Sequence, residues 1–129
     1  MAIRIVRLGS PRTAGEGLRL GTVRRPPRGV KKADFARRDY YDLWLPDLSP
    51  SAPVVSDAMS KDWTAARWTK FARRYRSEMR APEKQRLIAL LAALSAQSNF
   101  SVGCYCEDES HCHRSLLREL LVAAGADVL

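Results

Sequence analysis

An α/β fold, one domain with a small, mostly parallel sheet flanked by helices, is predicted by three features of the chain. Two short segments near the start alternate apolar and polar residues. Two stretches in the middle repeat apolar residues at helical spacing. The final stretch from Asn99 reads strand, loop, helix, strand, the pattern of a sheet covered by helices.

The first predicted strand is Ile3–Leu8 and the second Leu18–Arg24, separated by turn chemistry at Ser10-Pro11-Arg12 and Gly15-Glu16-Gly17. Arg24-Arg25-Pro26-Pro27-Arg28-Gly29 then stops any ladder. Its prolines hold the backbone extended, so the arginines project from a stiff loop. Ala33–Asp39 reads as a short helix. Between 42 and 60, Pro46, Pro50 and Pro53 interrupt regular structure. An ordered loop pinned by Tyr40, Tyr41 and Trp44 is expected there, the aromatics packing on the core or, alternatively, stacking bases.

Trp68, Phe71, Ala72, Tyr75 and Met79 recur at helical spacing, with Arg67, Lys70, Arg73, Arg74 and Arg76 on other faces. Ser60 or Asp62 is the expected cap, and Pro82 ends this helix and opens the next. That next helix, Pro82–Gln97, is expected to bury Leu87, Ile88, Leu90, Leu91 and Leu94. Asn99–Cys106 reads as a buried strand and Glu107–Ser110 as a loop with a capping serine. His113–Ala124 is a helix with Leu116, Leu117, Leu120 and Leu121 inward, closed by Gly125, and Ala126–Leu129 begins a final strand.

Composition narrows the function classes. The 129 residues are 46% hydrophobic and 28% charged, an ordinary globular balance. The apolar run Leu87–Leu94 is too short to span a bilayer, and the N-terminus lacks a signal-peptide core. A cytoplasmic protein without membrane association is expected. Three cysteines within Cys104–Cys112 cannot form a complete disulfide framework, and in a reducing compartment they point to metal, thiol chemistry or burial. The net charge of +8 is local: residues 1–38 hold eleven Lys/Arg against two acids, the remainder eleven against twelve. A basic field of this kind attracts phosphates, nucleotides or nucleic acid.

The Cys104–Arg114 stretch admits three readings. Zinc, the one cofactor considered, would take Cys104, Cys106 and Cys112 with His111 or His113. Against it, Cys-x-Cys on an extended strand sets the sulfurs about 6–7 Å apart. In the second reading Cys112, in the first turn of a helix, is a reactive thiol favoured by the free N–H groups and the dipole. His113 would then handle protons and Arg114 hold an anion. Cys106 is followed by Arg114 with seven residues between, which is not the Cys-x5-Arg spacing of cysteine phosphatases. In the third reading the cysteines are buried structural residues. Glu107-Asp108-Glu109 is read as solvated acids ahead of a helix rather than an acid/base pair.

Gly103-Cys104-Tyr105-Cys106-Glu107 followed by Cys112-His113-Arg114-Ser115 resembles the C-terminal signature of the bacterial and archaeal domain-of-unknown-function family 488. Val23-Arg24 with Pro27-Arg28 resembles that family's strand-end arginine motif. The stretches 28–32, 44–50 and 71–76 are similar to its short branch. The resemblance implies an α/β fold and a site combining Arg24, Arg28, Cys112, His113 and Arg114; it supplies no reaction.

The expectation that follows is a cationic pocket. Cys112 and His113 are its candidate catalytic pair, and Arg24, Arg28, Arg114 and Ser115 its contacts to a small anionic ligand or nucleotide. The rivals are a nucleic-acid-binding module using the basic N-terminal third and a zinc-stabilised interaction domain.

Overall fold

The computed structural model describes residues 1–59 and 62–129. Among them four strands, β1 (Ile3–Arg7), β2 (Leu18–Gly21), β3 (Leu43–Trp44) and β4 (Phe100–Cys104), form one sheet in the order β1-β4-β2-β3. Every pairing is parallel. β4 is therefore central, flanked by Arg7↔Cys104 on one side and Gly21↔Gly103 on the other. All five of its residues are buried, as a strand covered on both faces requires. Beyond β1, Val128 forms a single parallel bridge with Ile3, so the expected final strand is reduced to one rung.

Four α-helices follow from local chemistry: α1 (Ala52–Met59), α2 (Ala65–Glu78), α3 (Pro82–Ser95) and α4 (His113–Ala123). Thr64, not Asp62, caps α2, its side chain accepting from the Arg67 N–H at 3.1 Å. The alternative cap Ser60 lies outside the described residues. Pro82 opens α3, where the first turn does not need the N–H that proline lacks. Gly125 closes α4 at φ +92°.

Three expectations change. The stretch after residue 42 is not a loop: it holds β3, a 3-10 turn at Pro46–Leu48, and α1. Its prolines lie at element starts, where a missing N–H costs little. Ala33–Asp39 is only a 3-10 turn, Lys32–Asp34, followed by further turns. Leu90 and Leu94 of α3 are exposed, at 54% and 42%, because Ile88, Leu91 and Ala92 form the buried face.

One core cluster joins the helices to the sheet through Ile3, Leu20, Phe100, Val102, Tyr75 and Leu117. A second, with Leu8, Val23, Tyr41, Cys104 and Cys112, lies toward the carboxyl ends of the strands. There Gly21 is required, since a Cβ on it would stand 2.3 Å from the Tyr41 ring.

Candidate functional site

The carboxyl end of β4 and the start of α4 meet in this second cluster. The strand stops at Cys104, and the chain bends at Tyr105 instead of continuing extended. That bend overturns the 6–7 Å expectation: Cys104 Sγ and Cys106 Sγ are 3.7 Å apart. Cys112, the residue preceding α4, completes the group, and all three sulfurs lie within 4.8 Å of one another. Cys104 and Cys112 are buried and Cys106 is exposed. Three converging thiols of this kind can hold a metal ion.

Their protonation is uneven. Hydrogen bonding with Cys106 and then Cys112, together with burial, pushes the Cys104 thiol far above its ordinary range. Hydrogen bonds from Cys104 and Cys112, aided by the charge of Arg114, hold Cys106 down at about 3. Of these two thiols, Cys106 is the one that ionises first.

His113 and Arg114 are buried behind it, at 3% and 4% exposure. The His113 Nε2 lies 2.7 Å from the Thr22 carbonyl oxygen. A carbonyl only accepts, so Nε2 carries the proton. Nδ1 is left facing Cys112 Sγ at 3.9 Å, able to accept from its thiol. The Tyr75 ring flanks the imidazole at 5.5 Å, its hydroxyl donating to the Leu48 carbonyl at 2.8 Å. Arg114 donates from Nη2 to the Cys106 carbonyl at 2.6 Å, while its buried Nε has no hydrogen-bond partner among the described residues.

The other sequence candidates are placed as follows. Ser115 donates to the Cys112 carbonyl at 2.9 Å. Arg24 donates to the carbonyls of Pro46, Ser49 and Pro50 and so clamps the segment before α1. Arg28 is exposed on its loop. His111 stands apart from the thiols: its ring stacks on Trp63 at 5.7 Å and its Nδ1 faces Asp108 at 3.1 Å. Ser110 does not cap α4: it lies inside the short turn Glu109–His111, which Asp108 caps, and Cys112 takes the cap position of α4 without a side-chain bond.

The family model described as the active DUF488-N3 subclade matches residues 3–125. The chain belongs to the DUF488 family. No curated protein and no solved structure matches it. In this DUF488 member the match spans all four strands and all four helices, so the thiol cluster lies within the family domain. Sequence reasoning missed one of its parts, Thr22, and the exposure of another, Cys106. Thr22 acts through a backbone carbonyl, which leaves no side-chain signal. Cys106 becomes the exposed thiol only because the strand stops two residues earlier. Among the described residues no helix is long and apolar enough to cross a membrane.

Proposed function

We propose that this chain holds a thiophilic divalent cation, zinc in the first instance, on Cys104, Cys106 and Cys112, and handles an anionic ligand there. The observation that carries the reading is the sulfur spacing. Two sulfurs bonded at about 2.3 Å to one tetrahedral ion stand about 3.8 Å apart. The Cys104–Cys106 separation of 3.7 Å fits without rearrangement, and Cys112 is within 4.8 Å of both.

Charge supports the same reading. Three thiolates around a dication leave one negative charge, and burying it requires nearby cations. Arg114 supplies one. Three protein ligands would leave such an ion open to a further ligand, the donor count of catalytic rather than structural zinc sites. Reduced, unpaired thiols suit the cytoplasm.

The second reading keeps the site metal-free, with an anion such as phosphate or a nucleotide as its ligand. The Arg114 Nε favours it, since a buried donor without a protein acceptor is open to one from a ligand. Arg114 and Ser115 would hold the anion, with Arg24 and Arg28 contributing only if their segments move toward it. Cys112 and His113 would be the reacting pair, and the chain an enzyme on nucleotide or nucleic-acid substrates.

Metal analysis of protein purified under reducing conditions without chelator separates the two. About one zinc per chain, lost in Cys106→Ser and in Cys112→Ser, is expected. A metal-free chain that also fails to take up added zinc overturns the first reading and leaves the second.

A further inference from the structure

Between Arg25 and Arg38 the chain carries six exposed cations and one acid, Asp34, which is paired with Arg37 at 2.7 Å. A solvated basic loop would need no further account, but this one borders a cleft. Tyr105 donates its hydroxyl to the Arg25 carbonyl at 2.9 Å. At the other end the Arg38 guanidinium lies 5.9 Å from the centre of the Tyr40 ring. Both ends of the basic segment are therefore tied to the two tyrosines whose rings meet edge-on, 6.1 Å apart. Those rings line a cleft of about 480 Å³ together with Arg7, Gly9, Ser10 and Pro11.

The cleft sits where an α/β sheet places its ligands. Arg7 is the last residue of β1, and Tyr105 directly follows β4. Its walls are held: Asp39, at φ +63°, turns its carbonyl to accept from Gly9 N–H at 2.8 Å and from Arg19 at 2.7 Å, which fixes the approach of Tyr40. Tyr41 is buried, and the Trp44 indole is committed to the Val23 carbonyl at 2.7 Å. Tyr40 and Tyr105 are thus the aromatics that line the cleft.

We propose that this face binds single-stranded nucleic acid, one base entering the cleft against Tyr40 and Tyr105 while Arg25, Arg28, Lys31, Lys32 and Arg38 follow the phosphates. A base offers a ring face to the tyrosines only when it is unpaired, which favours a single strand over a duplex. Cations spread over fourteen residues exceed what one mononucleotide can engage, which favours a strand over a free nucleotide. The proposal does not rest on the thiol site.

Fluorescence polarisation with a labelled oligothymidylate of about twelve nucleotides tests it, beside the matching oligouridylate, a duplex and competing dTMP. Neutralising four or five phosphates predicts affinity falling roughly fifty- to a hundredfold between about 50 and 200 mM salt. The variant with Arg28→Glu, Lys31→Glu and Lys32→Glu, all at exposed positions, is expected to bind at least about tenfold more weakly. Tyr40→Ala is expected to lose roughly tenfold while Tyr40→Phe keeps its affinity, and circular dichroism confirms that each variant is folded. Absence of oligothymidylate binding at low salt, duplex or dTMP bound as tightly as the strand, or full affinity in the charge-reversed variant each overturns the proposal.

Discussion

Arg19 and Glu16 form a bidentate ion pair sealed beneath the sheet, with Nε to Oε2 at 2.8 Å and Nη2 to Oε1 at 3.0 Å. Their side chains are 0% and 2% exposed. The remaining donor, Nη1, reaches the carbonyls of Ser10 and Asp39, and Ser101 of β4 faces Glu16 at 3.2 Å. One buried guanidinium on β2 therefore pins the loop after β1 and the turn before Tyr40 to the sheet, and Glu16 links it to the central strand. Two of the positive charges counted in the sequence are thus unavailable to a ligand: Arg19 is buried here, and Arg24 is committed to backbone carbonyls.

Removing the carboxylate leaves a charge buried without its counter-ion. Glu16→Gln is expected to cost about 3–5 kcal/mol, read from urea unfolding. Burial opposes ionisation of Glu16, yet the hydrogen bonds and charge of Arg19 hold its carboxyl below the ordinary value. The folded pKa lies below the unfolded one of about 4.3, so this contribution is complete above that value. It is lost as pH falls through the folded pKa. The unaltered chain should therefore lose stability on acidification more steeply than Glu16→Gln, and parallel acid titrations of the two would contradict this.

Gly15 and Gly17 separate backbone strain from crowding. Both have positive φ, +75° and +80°. A Cβ on Gly15 meets nothing within 4 Å, whereas one on Gly17 would stand 1.9 Å from the Asn99 carbonyl oxygen. Gly15→Ala is expected to cost about 1–2 kcal/mol from the left-handed conformation alone. Gly17→Ala adds displacement of the residue before β4, a further 1–3 kcal/mol or so. Equal melting temperatures for the two variants would show that the loop gives way.

Helix α3 offers a contrast between sequence and packing. Leu90 is 54% exposed and Leu91 is 5% exposed. Leu91→Ala is expected to cost about 2–5 kcal/mol and Leu90→Lys within about 0.5 kcal/mol of nothing. A large loss of stability in Leu90→Lys would mean that this leucine is covered in solution.

That contrast also shows what was legible beforehand. In α2 and α4 one apolar stripe stands against charged faces, and Phe71, Tyr75, Leu117 and Leu121 are buried as their spacing predicts. In α3 leucine and alanine occur round much of the circumference, so periodicity selects no face. α1 was hidden because Pro50 and Pro53 read as breakers when they only mark its start. The cysteine cluster was legible as a cluster. Its geometry was not, because the bend at Tyr105 depends on where the ladder with β1 and β2 stops, a tertiary fact.

The same bend decides which thiol meets a reagent. Cys112, at the mouth of α4, has the helix-terminal position that ordinarily activates a thiol, but only 2% of its surface is exposed. Cys104 is 8% exposed, and Cys106 is open to solvent. Access, not position on the helix, should then control the rate. In the metal-free chain a disulfide reagent is expected to titrate one thiol rapidly and two only as the protein unfolds. Cys106→Ser should abolish the fast phase, and Cys112→Ser should leave it. Added zinc should protect the fast thiol if the three sulfurs close on one ion, because that ion must take Cys106 with the other two. A fast phase that survives Cys106→Ser and disappears in Cys112→Ser would instead place the reactive sulfur at the helix mouth, with His113 as the base beside it.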